Sequence, residues 1–363
     1  TPQKIFLDKN WITEQFMELY AYSHVKNLPK KRKVKNIVVG WDPRDPSGIF
    51  IDAVLKGVRK AGATVLKLGV VPTPLVPLYM ILQKADCGMM ITASHNPNDQ
   101  NGIKLFSPFH GIKPLPSDDL KLSKLVFGKK YALIKKKPAL GKQKNCRKNA
   151  LKLFSQFSLF PENSWIDDSV NFKNILVVVD PANGSLTGIA KEIFLQAGFG
   201  RVVEVNGNLN GNVNVFSGVA DLEGRDRITS DQLKKSSGFF RRHKAILKIF
   251  ELGRKNKMAL AKGTKRVVGV IFDADADRFF MLEYDPFKDL LWVLSGDETA
   301  ILQAEHLIAK FPEKYKGSLY INTVESDLNA AVSAKKMGLK SELTAVGDKW
   351  ILLKIILKQL EQD

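Results

Sequence analysis

Two short segments carry residue types that can do chemistry together. Residues 92–97 read Thr92-Ala93-Ser94-His95-Asn96-Pro97, residues 273–278 read Asp273-Ala274-Asp275-Ala276-Asp277-Arg278, and each follows an apolar run. The first segment puts a serine hydroxyl on a short polar turn at the end of a buried strand. The second offers carboxylates at alternating positions, which an extended stretch would place on one side. Clustered carboxylates repel one another unless a cation neutralises them. Oxygen ligands suit Mg²⁺ or Ca²⁺ rather than Zn²⁺, which prefers His and Cys. An EF-hand is disfavoured, because its sixth position would be Arg278 instead of Gly and its twelfth Tyr284 instead of Glu. Mg²⁺ binds few carboxylates plus substrate phosphate, so a phosphoryl group on Ser94 would complete such a site, with Ser94 and Asp273, Asp275 and Asp277 around the ion. Arg278 then offers a bidentate donor to phosphate oxygens. A serine able to carry a phosphoryl group beside a hard-cation site is an arrangement for phosphoryl transfer.

The serine turn admits other readings. Neighbours on an extended strand point opposite ways and Ser94 lies on no Gly-x-Ser-x-Gly elbow, so a Ser/His/Asp hydrolase is disfavoured. His95 reads as a hydrogen-bonding partner of the site rather than the base for Ser94. Pro97 biases Asn96 toward an extended backbone, and Asn98, Asp99, Asn101 and Gly102 predict a tight turn. Lys104 follows that turn and could fold back toward Ser94; it serves as a base only if its neighbours depress its pKa. The structural alternative is a polar strand-to-loop turn with no chemistry.

The elements that must position these residues are α/β in pattern. Lys35–Asp42, Lys173–Asp180 and Arg266–Asp273 each run from a basic residue through β-branched apolar residues to an aspartate. Such continuous apolar strands predict parallel sheet buried on both faces. Helical patterns follow at Ile49–Ala61 and Thr187–Ala197, and strand–helix alternation continues through a Pro72-Thr73-Pro74 break and again from Asp297 to Leu360. The expectation is a tandem of three related α/β domains with mixed, mostly parallel sheets: 1–145 bearing the serine, 150–262, and 264–363 bearing the acidic loop. Lys129–Asn149 reads as the first linker and the second boundary falls near Gly253–Lys265.

The chain has 363 residues, 44% apolar, which accommodates several buried cores. No apolar run approaches the ~20 residues of a membrane span, so no membrane partner is expected. No signal peptide is read; the chain opens at Thr1, as a fragment or processed form would. Two cysteines, Cys87 and Cys146, fit a reducing compartment and a cytoplasmic location. The net charge of +19 arises from 56 basic and 37 acidic residues, with clusters at Lys30–Lys35, Lys129–Lys137, Lys142–Lys148 and Arg241–Lys244. With few aromatics interleaved, these read as solvated surface and a field suited to anionic substrates, and nucleic acid is not expected as a partner.

Taken together, Thr92–Pro97, Asn101-Gly-Ile-Lys104, Asp273–Arg278 and Thr344-Ala-Val-Gly-Asp-Lys349 resemble the motifs of the α-D-phosphohexomutase family, and Gly40-Trp-Asp-Pro-Arg44 is similar to its first-strand element. The resemblance covers nearly the whole chain. It implies that Ser94 is the phosphoserine, Asp273, Asp275 and Asp277 the Mg²⁺ ligands, Lys104 an acid/base and Arg278 a phosphate contact. It also places Arg44 and Lys349 near the phosphosugar. The implied partners are hexose phosphates and a bound hexose 1,6-bisphosphate that turns around between two phosphoryl transfers. The implied substrates are glucose and mannose phosphates. The family's early Gly-x-x-Gly-x-Arg element, third-domain sugar loop and fourth-domain phosphate loop find no match here, so the first three domains are expected. A non-catalytic phosphosugar-binding member is the alternative. Ala274 stands where the family has glycine, and a positive φ there would cost roughly 1 kcal/mol.

Overall fold

The β-branched runs become strands because both of their faces are covered. In the computed structural model, which describes residues 1–29, 33–166, 171–234 and 238–361, Asn36–Trp41 (β1) lies parallel to Thr64–Val70 (β2) and Cys87–Ile91 (β3). Ile103–Phe106 (β4) pairs antiparallel with β3 and Gln143–Asn145 (β5) parallel with β2, giving the order β4-β3-β1-β2-β5. The helices Glu14–Asn27 and Ile49–Lys60 bury Leu19, Val25, Val54 and Val58 against Ile37 and Val39 on one face. Leu75–Leu82 and Arg147–Leu159 cover the other face around Val38, Leu68 and Met90.

Lys129–Asn149 is therefore not a linker. It contributes β5 to the first sheet, and Arg59 Nε and Nη2 hold it by donating to Gly141 O at 2.8 Å and Ala139 O at 3.1 Å. All the β5 side chains are exposed, so the strand is defined by backbone pairing and leaves no apolar pattern to read.

The second sheet comprises Ile175–Asp180 (β6), Arg201–Glu204 (β7), Arg227–Thr229 (β8), Arg266–Phe272 (β9), Phe279–Asp285 (β10) and Leu290–Leu294 (β11) in the order β7-β6-β9-β10-β11-β8. β6 is parallel to both β7 and β9, and the remaining pairs are antiparallel. This corrects the boundary expected near Gly253–Lys265. β9 does not open a third domain; it pairs directly with β6, and the acidic loop after it belongs to the second unit. The helix Lys244–Lys255 seals the join, burying Ile246, Ile249 and Phe250 beneath β9 and β10. Gly253 permits that packing, since a Cβ there would stand 2.3 Å from the Tyr284 ring.

The third unit pairs Leu319–Thr323 (β12) with Lys340–Thr344 (β13) in parallel, flanked by the helices Gly296–Lys310, Leu328–Lys336 and Asp348–Leu360. Ser295 caps the first of these in a capping box with Glu298, as its position before the helix predicts. Lys30 and Lys31 of the first basic cluster lie outside the described residues, while Lys35 Nζ donates to Val25 O at 2.8 Å and Leu28 O at 2.6 Å. Among the described residues, no helix is long and apolar enough to cross a membrane.

Candidate active site

Ligands of open α/β sheets bind at the carboxyl ends of strands, and there the two motifs meet. Ser94 follows β3 and Asp273 follows β9, and Ser94 Oγ donates to Asp273 Oδ2 at 2.7 Å. Ser94 is buried with φ 54°, a left-handed conformation that costs a non-glycine residue about 1–2 kcal/mol. Such a conformation persists where its surroundings over-determine it, and a closed ring of hydrogen bonds does so. Ser94 N donates to Thr92 Oγ1 at 2.8 Å, and Thr92 Oγ1 donates to Asp42 Oδ2 at 2.6 Å. Arg44 Nε donates to Asp42 at 2.9 Å, and Arg44 Nη2 donates to Ser94 O at 2.5 Å.

Arg44 is thus not the phosphosugar contact expected of it. Its side chain is 1% exposed, and its other terminal nitrogen donates to Gln100 O at 3.0 Å. It buttresses the serine loop from beneath. From the second unit, Asn214 Nδ2 donates to Ser94 O at 3.0 Å and Asn96 O at 3.2 Å. His95 also departs from expectation. Its Nδ1 is buried without a hydrogen-bond partner among the described residues, and burial, followed by the nearby Arg278 charge, holds the imidazole below its ordinary pKa.

Asp273, Asp275 and Asp277 each bring a carboxylate oxygen within 4.8 Å of the others, though not by strand alternation. β9 ends at Phe272, and the loop turns tightly: Asp273 Oδ1 accepts from Asp277 N at 3.1 Å and Arg278 N at 3.2 Å. The left-handed residue is Ala276, φ 58°, and Ala274 has no positive φ, so the strain expected at Ala274 falls two residues later. Ala274 O accepts from Ser185 N at 2.7 Å, and a Cβ on Gly184 would stand 2.2 Å from that oxygen. The second unit thereby packs its own turn against the loop.

The donors fit a hard cation. They are all oxygens, and Asp275 Oδ1 is buried with no hydrogen-bond partner among the described residues. Burial first, then the Asp275 and Asp277 charges, push the Asp273 carboxyl up to about 7, the penalty of crowding carboxylates together. Lys104, on β4, places its ammonium 2.6 Å from Asp275 Oδ2 and 2.5 Å from Asp277 Oδ2. Burial opposes the Lys104 charge, but Asp275 and Asp277 outweigh it and its pKa is raised. Lys104 Nζ thus donates to two of the three carboxylates.

Arg278 is half exposed and lies 3.4 Å from Glu223 Oε1. Lys349, on the helix Asp348–Leu360, donates to Pro114 O at 3.1 Å, while Lys113 pairs with Asp348 at 2.8 Å. Lys104, Lys113 and Lys349 line one cavity of about 250 Å³ between the first and third units, together with Asp119 and Asp348, so Lys349 shares a space with the lysine that pairs with the acidic loop. The sequence reading missed Thr73, Thr92 and Asn214. Thr92 sat within a quoted motif without a role, Thr73 was read only as part of a break, and Asn214 lies in an Asn-rich stretch with no distinguishing signal.

A mixed α/β chain thus brings a serine and an acidic loop together at the carboxyl ends of strands from two sheets. A family model described as phosphoglucomutase/phosphomannomutase, alpha/beta/alpha domain I, matches residues 4–132. A phosphoglucosamine mutase of Caldicellulosiruptor saccharolyticus is 26% identical over 340 residues, covering 93% of this chain and 64% of that protein. One of Lactiplantibacillus plantarum is 28% identical over 337 residues, covering 92% of this chain and 63% of that protein. The solved structure of a phosphoglucomutase/phosphomannomutase family protein from Burkholderia thailandensis shares the fold, with a TM-score of 0.64 at 20% identity over 95% of this chain and 64% of that one. The chain is similar to phosphoglucosamine mutases over most of its length, and residues 4–132 match the first-domain model. It spans 63–64% of the length of the curated relatives it matches.

Proposed function

We propose that this chain carries the phosphoserine and cation half of a phosphohexomutase site, interconverting hexose 1-phosphate and hexose 6-phosphate through a bound 1,6-bisphosphate. The observation that carries the reading is the 2.7 Å contact between Ser94 Oγ and Asp273 Oδ2, which puts the phosphoryl carrier against the acidic triad. Asp273, Asp275 and Asp277 would hold Mg²⁺, which when bound offsets the charge that spreads over a phosphoryl group in transfer.

The chain's own residues supply positioning. The ring through Thr92, Asp42 and Arg44 fixes the Ser94 backbone, so the hydroxyl oxygen presents one direction to an incoming phosphoryl group. Lys104 holds a proton at Nζ within the site and can donate to a sugar or phosphate oxygen. Arg278 offers its guanidinium on the exposed side. The cavity lined by Lys104, Lys113 and Lys349 also holds Asp119 and Asp348, so each lysine faces a carboxylate there or on the acidic loop. Among hexoses, the relatives named phosphoglucosamine mutase make glucosamine phosphate a third candidate beside the glucose and mannose phosphates.

Incubation of the chain with glucose or glucosamine 1,6-bisphosphate and Mg²⁺ is expected to add one phosphoryl group, located on Ser94 by peptide mass analysis. No added mass, or a phosphoryl group elsewhere, defeats the reading.

A further inference from the structure

Pro72-Thr73-Pro74 separates β2 from the helix Leu75–Leu82, and the phosphoryl transfer proposed above assigns it no part. In the fold this segment meets the acidic loop from the opposite unit. Thr73 N donates to Asp275 O at 2.7 Å, and Thr73 Oγ1 donates to Asp275 Oδ2, a contact between residues 202 apart in sequence. Both residues are buried, with Thr73 4% exposed and Asp275 wholly enclosed. The flanking prolines limit the backbone at Thr73, so its hydroxyl is held where the loop must come to it. Asp275 is fixed at its main chain and at Oδ2, while Oδ1 is buried with no hydrogen-bond partner among the described residues. Lys104 Nζ also donates to Oδ2 at 2.6 Å, from a partly exposed side chain, so Thr73 is the buried one of its two donors.

We propose that Thr73 is a positioning residue for the cation: by occupying Asp275 Oδ2 it limits Asp275 to one ligand oxygen, Oδ1, and so favours Mg²⁺ over Ca²⁺. The inference rests on the cation assignment made above. Ca²⁺ takes six to eight oxygens in flexible geometry and often uses a carboxylate through both oxygens, whereas Mg²⁺ requires near-octahedral geometry and is bound through one or two carboxylates. A carboxylate with one oxygen already engaged therefore serves the smaller ion better. Hydrogen-bonding partners of metal ligands also orient them, and their loss costs about 10–100-fold in affinity.

The test is calorimetric titration of the whole chain with MgCl₂ and with CaCl₂, for wild type, Thr73→Val and Thr73→Ser. Thr73→Val is expected to weaken Mg²⁺ binding by about 10–100-fold and Ca²⁺ binding by less, so the preference for Mg²⁺ falls several-fold. Thr73→Ser, which keeps the hydroxyl, restores both affinity and preference. Thr73→Ala supplies the same comparison should Thr73→Val fail to fold. Wild-type Mg²⁺ affinity in the hydroxyl-free variants, or an equal loss for both ions, overturns the inference and leaves the cation site standing. A wild-type chain that binds neither ion overturns the cation assignment and this inference with it.

Discussion

Ser94 Oγ and Asp273 Oδ2 lie 2.7 Å apart although 179 residues separate them in sequence. The hydroxyl comes from the first sheet and the carboxylate from the second, so the contact exists only when the two units dock. Replacement of Asp273 by Asn keeps the volume and removes the charge. Asp273→Asn is expected to weaken Mg²⁺ binding by more than the ~10–100-fold typical of an outer partner, and to abolish Ser94 phosphorylation. Calorimetry and intact-mass analysis read the two effects, and near-wild-type affinity would remove Asp273 from the ligand set.

Arg44 and Asp42 are both buried, and Arg44 links Asp42 to three main-chain carbonyls of the serine loop, those of Ser94, Pro97 and Gln100. Arg44→Ala leaves Asp42 uncompensated, for which about 3–5 kcal/mol of destabilisation is expected. Arg44→Lys keeps the charge but loses the planar fork, so it recovers only part of the loss. Denaturant midpoints of the pair decide this; a loss of activity with no loss of stability would return Arg44 to the role of a direct ligand.

Asn214 is the second unit's hold on the same loop. Asn214→Ala removes two hydrogen bonds to main-chain carbonyls, worth about 1–3 kcal/mol together. Amide exchange over residues 93–96 is expected to accelerate more than exchange in β1 or β3. Equal protection in the variant would show that the first unit alone sets the loop.

The acidic loop carries its backbone strain at Ala276, φ 58°. Ala276→Gly removes about 1–2 kcal/mol of left-handed strain against roughly 0.5–1 kcal/mol of added chain entropy. A net stabilisation near ~0.5–1 kcal/mol is expected, whereas Ala274→Gly, at a buried position without positive φ, is expected to destabilise. Thermal denaturation of the two variants should move in opposite directions.

His24 Nε2 lies 3.1 Å from Cys87 Sγ, and burial, then Lys35, lower its pKa to about 4. The unfolded imidazole binds its proton near pH 6.5. Between about pH 6.5 and 4 the unfolded chain therefore holds more protons, and stability rises with pH across that window. This contribution is complete above about 6.5 and is lost as pH falls toward 4, by about 3 kcal/mol. His24→Gln is expected to flatten that part of the stability-versus-pH curve, and an unchanged slope would count against it.

Local chemistry and much of the secondary structure follow from residue types and their near neighbours. The β-branched runs at Asn36–Trp41, Ile175–Asp180 and Arg266–Phe272 are strands because their pattern records burial on both faces, and the residue types of the two motifs limit the chemistry to a hydroxyl and hard-cation ligands. Those features are legible because each depends on neighbours a few residues away. What the tertiary structure decided depends on partners that composition does not mark. It placed β9 beside β6, and so moved the acidic loop from an expected third domain to the second unit. It turned Arg44 inward, because a buried Asp42 needed a countercharge. It shifted the left-handed residue from Ala274 to Ala276, because the loop closes on Asp273 Oδ1 instead of running extended. It brought Thr73 to Asp275 and Asn214 to Ser94, contacts that form only when the sheets are docked, since the hydrogen-bonding groups involved come from separate units of the chain.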